Sequence, residues 1–243
     1  MAKLFNKNRK ELLGQNKTVQ YLKYALGEII LVVIGILIAL SISSWSEDRK
    51  ERQDEIYVLG EVLSNLKEDA VLIDYIIGQR ARAKKSVENM LAYLPTHTVN
   101  ADSLSSDLMR FITFERYFPI NNAFEMLKSK GLKLSNNSLT TRISRYYDYD
   151  QHRTQRSVED IEEAILPILM NNSGIKRFIT SLNLNESITL TNPNDLQFQN
   201  ELYHELNGFK DNNIGTLVWV TGFRETNQAL VRDLQVELKQ LKE

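Results

Sequence analysis

Hydrophobic and polar positions divide the chain into one unbroken apolar block and a series of stripes with helical period. From Ile29 to Leu40 the residues are aliphatic except for Gly35, and Ala25, Leu26 and Ile42 extend the block to about 18–20 residues. At about 1.5 Å per residue the block reaches roughly 30 Å, the thickness of bilayer hydrocarbon. Tyr24 and Trp45 stand at its two ends, where amphipathic rings favour the headgroup layer. The pattern predicts a transmembrane helix over residues 24–45. A cleaved signal peptide is the rival reading, because Ala39-Leu40-Ser41 is a small-x-small triplet, but the apolar core is too long for one.

No Pro or Gly separates this block from the charged segment after Trp45, so one continuous helix is expected to leave it. Ile56, Leu59, Leu63, Leu66, Ala70, Ile73 and Ile77 step alternately by three and four, a heptad seam. The register meets Arg80 and Lys84, then resumes at Val87, Leu91 and Leu94 before Pro95. Val58, Val62, Val71, Leu72 and Ile76 widen the stripe, which suits the core of a helical bundle better than a coiled-coil stalk joining several chains.

Further along, Asp102 or Ser103 is expected to cap a short helix bearing Leu104, Leu108, Phe111 and Ile112. Asn121 or Asn122 caps another, with Phe124, Leu127 and Leu132 inward and Gly131 in the left-handed turn after it. A long helix from Asn136-Asn137 carries Leu139, Ile143, Tyr146, Tyr147, Val158, Ile161, Ile165 and Leu169 inward, with Pro167 near its end at Asn171 to Gly174. A short extended piece is expected around Ile188 to Leu190. Asn194 or Asp195 opens a helix closed by Gly208, and a terminal helix runs from Ile214 to Lys242. Asn pairs at 121/122, 136/137, 171/172 and 212/213 punctuate these boundaries, since Asn caps helices and tolerates left-handed backbone. The predicted class is all-α: an N-terminal transmembrane helix continuing into the long helix of an extracytoplasmic helical bundle.

Charge gives this arrangement a direction. Lys3, Lys7, Arg9, Lys10, Lys17 and Lys23 precede the apolar block against the single acid Glu11, whereas SEDRKERQDE after it mixes both signs. A lysine-rich flank stays in the cytoplasm. Residues 1–23 are therefore expected to form a basic cytoplasmic arm, with a short amphipathic helix over Lys10 to Leu22, and residues 46–243 a periplasmic domain. The formal net charge of −1 offers no broad attraction for nucleic acid. The absence of Cys removes disulfides, thiolate metal sites and catalytic thiols. With 10 Gly and 4 Pro, the composition favours helices over a propeller or a sandwich.

Candidate chemistry is sparse. Gly27, Gly35, Ala39 and Ser43 recur on one face at multiples of four, a row that lets two spanning helices approach closely. Glu28 is a candidate intramembrane acid, although it lies near the cytoplasmic boundary, within reach of water. His97, His152 and His204 are isolated from one another, which supports no metal site. There is no GxSxG, no phosphate-cradling loop and no dinucleotide fingerprint, so neither a cofactor nor an enzyme is expected. The densest cluster is RISRYYDYDQHR, in which Arg142, Tyr146, Tyr147 and His152 are a candidate polar pocket for a small anionic or aromatic ligand; the alternative packs the tyrosine rings in the core.

The segment GEIILVVIGILIALSISSW, followed by a charged helix, resembles the anchor motif of a bacterial family of unknown function made of small single-span proteins. AFEMLKSKGLKLSNNSLTTRISRYY is similar to that family's second motif, a Leu-Lys-Ser-x-Gly turn leading to a helix that reaches Tyr-Tyr. Lys130 stands where the family usually has Ser or Thr, and Ser46 where Asn is common. The resemblance implies an inner-membrane anchor with a helical periplasmic domain and carries over no catalytic residue. The expected role is a membrane-anchored interaction or scaffold protein that self-associates, its partners being the lipid bilayer, further copies, or another membrane or periplasmic protein. The alternatives are a ligand-sensing bundle acting through a partner and an accessory subunit of a proton-driven complex.

Overall fold

The computed structural model describes residues 18–131, 133–170, 174–183 and 187–243. Most of the segment from Lys10 to Leu22, the Leu132 contact and the Asn171-Asn172 boundary lie outside them. Two units are distinguished, Met1–Asp54 and Glu55–Glu243. In the first, the described residues are helical and belong to α1, Thr18–Tyr93. This helix is long and apolar enough to cross a membrane: its most apolar window has a mean hydropathy of 2.7 and is 0% buried by the rest of the chain.

The second unit is all-α apart from one hairpin. The remainder of α1 ends in a 3-10 turn, Leu94–Thr96, where Pro95 removes the next amide donor. Next come α2 (Ala101–Ile112), α3 (Asn122–Ser129), α4 (Asn137–Arg145), a π-helical segment (Tyr146–Gln151) and α5 (His152–Met170). The short α6 (Gly174–Phe178) leads into the antiparallel strands β1 (Ile179–Asn183) and β2 (Ser187–Leu190), and α7 (Leu196–Lys242) completes the chain. Three caps arise directly from residue chemistry: the side chains of Asn100, Asn136 and Asp195 accept from the amides of Ser103, Leu139 and Phe198. The first of these starts α2 ahead of the expected Asp102 or Ser103. Gly131 closes the turn after α3 at φ 59°, a left-handed conformation that costs any residue with a Cβ. Gly131→Ala is expected to lower stability by about 1 kcal/mol, read as a lower urea midpoint at unchanged slope.

Two hydrophobic cores lie along the bundle. The first takes Val58 to Ile76 from α1, Leu139 to Tyr147 from α4 and the π segment, and Val220 to Leu238 from α7. The second takes Val87 and Met90 from α1, Leu104 to Ile112 from α2, Ile161 to Ile168 from α5, and Phe198 to Phe209 from α7. The order of these residues makes α4–α5 parallel to α1 and α7 antiparallel to both.

Several expectations need correction. Residues 196–242 form one helix, not two. Gly208 is tolerated inside it at about 1 kcal/mol, and no Pro forces a break. Asn213, expected at a boundary, is buried mid-helix, its amide donating to the Arg80 carbonyl. The buried face of α1 is turned relative to the heptad reading. Val58, Val62 and Ile76 are fully buried, whereas Ile56, Leu63 and Ile77 are half-buried and Val71 is 69% exposed. The buried face also carries polar residues, Asn65, Asp69 and Arg80, each with partners contributed by other elements. The interruption of α4–α5 by a π segment went unforeseen, because i→i+5 bonding leaves no periodic trace in so short a stretch.

Candidate functional site

Asp69 projects from α1 into the first core and is fully buried. Two hydroxyls converge on its carboxylate. Tyr117 donates at 2.6 Å to Oδ1, and Tyr146 donates at 2.5 Å to Oδ2. The Gln151 amide approaches Oδ2 at 3.3 Å and also the Ile120 carbonyl. The π segment supplies two of these groups, since its widened turn points Tyr146, Tyr147, Asp150 and Gln151 inward.

From Tyr146 the network continues to α7, where the Asn227 amide donates to the Tyr146 oxygen at 2.9 Å and to the Leu66 carbonyl at 2.9 Å. Arg224 then donates to the Asn227 carbonyl oxygen and pairs through two bonds with Asp74 at the surface. Stacked and edge contacts of Tyr146 and Tyr117 with Phe223, and of Tyr147 with Phe124, fix the rings.

Burial pushes the Asp69 carboxyl above its ordinary range, against the opposing pull of Tyr117, Tyr146 and Gln151. Burial, reinforced by the Asp69 charge, pushes both tyrosine hydroxyls up as well. Neither hydroxyl is poised as a nucleophile. The arrangement ties α1, the segment before α3, the π segment and α7 into one hydrogen-bonded unit.

A second polar group separates the two cores. Arg80, 1% exposed, donates from Nε to Glu115 at 3.0 Å, from Nη2 to the Thr113 carbonyl at 2.5 Å and from Nη1 to Asn213 Oδ1 at 3.5 Å. Burial moves both charged groups toward neutrality, the Glu115 pKa upward and the Arg80 pKa downward, and their mutual attraction opposes it.

The polar pocket expected from Arg142, Tyr146, Tyr147 and His152 does not form from those four residues. Tyr146 and Tyr147 are packed in the core at 0% and 2% exposure, and His152 is exposed. Arg142 is exposed and paired with Asp233 of α7. It does line a cleft of about 460 Å³, shared with Arg145, Asp150, Trp219 and Phe223. Gly27, Gly35, Ala39, Ser43 and Glu28 all lie exposed on α1, and a Cβ added at Gly27 or Gly35 would meet nothing within 4 Å. Among the described residues no group of three or more His, Asp or Glu side chains is placed to hold a metal ion.

Sequence reasoning missed Asp69, Tyr117, Gln151 and Asn227. A signal was present for the first, an acid between Leu66 and Ile73 on an otherwise apolar face.

No curated protein and no solved structure shows significant similarity to the chain. A family of unknown function does match, over residues 28–153, which reach from the apolar helix to the first residues of α5. That stretch contains Asp69, Tyr117, Tyr146 and Gln151, and it covers more than half of the sequence. The chain therefore belongs to the family of unknown function DUF6090.

Proposed function

We propose that the chain is a single-span, membrane-anchored interaction domain that self-associates and has no catalytic role. The observation that carries this reading is the apolar segment of α1. From Leu22 to Trp45 its large side chains are exposed, and none of the described residues covers them. So much aliphatic surface facing water is unfavourable by about 25 cal/mol per Å², and a bilayer removes it. The lysine-rich N-terminal flank supports a cytoplasmic N-terminus in a bacterial inner membrane, with the bundle on the periplasmic side. Gly27, Gly35, Ala39 and Ser43 offer the close-approach face through which two copies would pair in the bilayer.

Three measurements test this. Alkaline carbonate should leave the chain in the membrane pellet, and protease added to spheroplasts should remove a C-terminal tag. Cross-linking in membranes should capture a dimer that Gly35→Leu with Ala39→Leu weakens on the order of tenfold. Release by carbonate would remove the anchor, a protected tag would reverse the orientation, and a strictly single chain would end the self-association. A second reading, a ligand-sensing bundle acting through a partner, is favoured by the cleft beside α7.

A further inference from the structure

Between the π segment and α7 the chain leaves a cleft of about 460 Å³, within the usual range for small-ligand sites. Its two walls differ in chemistry. Phe223, Leu230 and Trp219 of α7 form an apolar wall, while Arg142, Arg145 and Asp150 form the opposite one. Trp219 is held in place, its indole donating to Thr154 at 3.0 Å and its face covered by Arg153 at 3.8 Å. The apolar wall is thus pre-organised.

The polar wall carries one open charge of each sign. Arg142 is already engaged with Asp233. Arg145 is 72% exposed, lies 5.9 Å from the centre of the Tyr149 ring, and among the described residues is paired with Asp150 at 3.9 Å, beyond hydrogen-bond reach. The Asp150 side chain is 12% exposed and lies near Arg145 and Arg153, with no hydrogen bond to its carboxylate among the described residues. Burial raises the pKa of this carboxyl, and the charges of Arg145 and Arg153, which face it, oppose that rise. A ligand that brings an ammonium to Asp150 and a carboxylate to Arg145, with an apolar group against Phe223 and Leu230, would satisfy all three features together.

We propose that this cleft binds an α-amino acid with an apolar or aromatic side chain. The proposal rests on the unit Glu55–Glu243 alone and stands or falls independently of the membrane anchor. Gly222 provides the control, because it lines the cleft and a Cβ built on it meets nothing within 4 Å. Gly222→Leu therefore fills the space while raising helix propensity.

Calorimetric titration of the full chain in mild detergent should show saturable binding of L-phenylalanine or L-leucine. 3-Phenylpropionate, which lacks the ammonium, and phenethylamine, which lacks the carboxylate, should bind at least about tenfold more weakly. Gly222→Leu should abolish binding with the helical circular dichroism spectrum retained. Asp150→Asn should weaken the amino acid and should not weaken 3-phenylpropionate. Absence of saturation by both amino acids at millimolar concentration would overturn the proposal. So would equal binding of 3-phenylpropionate, or binding that survives Gly222→Leu.

Discussion

Arg80→Ala is expected to cost about 3 to 5 kcal/mol. The guanidinium is 1% exposed and bonds Glu115, the Thr113 carbonyl and Asn213 at once. Truncating it takes the cation from the buried Glu115 carboxyl, which must then hold an unpaired charge or take up a proton, and one of its oxygens already has no partner among the described residues. Breaking a buried pair differs from replacing it. Arg80→Met combined with Glu115→Leu removes both charges and should recover most of the loss. Urea unfolding of the full chain in mild detergent separates the cases: the single variant loses midpoint and the double variant regains it. A single-variant loss below about 1 kcal/mol would mean that the pair is solvated rather than sealed between the two cores.

Asp69→Ala should come next at about 4 kcal/mol, because it strands two hydroxyls and an amide in the core, each at about 1–3 kcal/mol. Tyr146→Phe, which leaves Tyr117 and Gln151 on the carboxylate, should lose about 1–2 kcal/mol. The pH dependence has a definite sign. Burial raises the folded-state carboxyl of Asp69 above its unfolded value, so the folded chain binds the proton more tightly. The stability linked to Asp69 is then fully present below the unfolded value, about 3.9, and declines as pH rises through the folded value. Asp69→Asn keeps an uncharged acceptor in place and should flatten that decline. Urea midpoints for the wild type and Asp69→Asn at a series of pH values measure the difference directly. Parallel curves would show that the carboxyl titrates as it does in the unfolded chain.

The large elements were legible because their causes are local. The apolar block from Ile29 to Leu40, the helix stop at Pro95, the Asn136 and Asp195 caps and the Gly131 turn each arise from side-chain chemistry within a few residues. Features that depend on partners distant in sequence were not legible. Asn213 reads as a boundary until Arg80, 133 residues away, is set beside it. Asp69 reads as a solvated acid until Tyr117 and Tyr146 arrive from two other elements. The turned face of α1 has the same origin, since two neighbouring helices rather than one choose which side is covered. The cleft combines Arg142, which the sequence singled out, with a wall of α7 that local pattern could not bring near.

The Arg80 layer also limits how the bundle can move. Neighbouring helices with smooth apolar faces can creep along one another, exchanging one leucine socket for the next. Here a slip of one turn, about 5.4 Å, toward the start of α7 would carry the guanidinium off Asn213 to Phe209, which sits in hydrocarbon surroundings. Axial gliding of α1 past α7 is thereby latched. Rolling or splaying about Arg80 is opposed in turn by the Asn227–Leu66 and Arg224–Asp74 bonds, which join the same two helices at a second level.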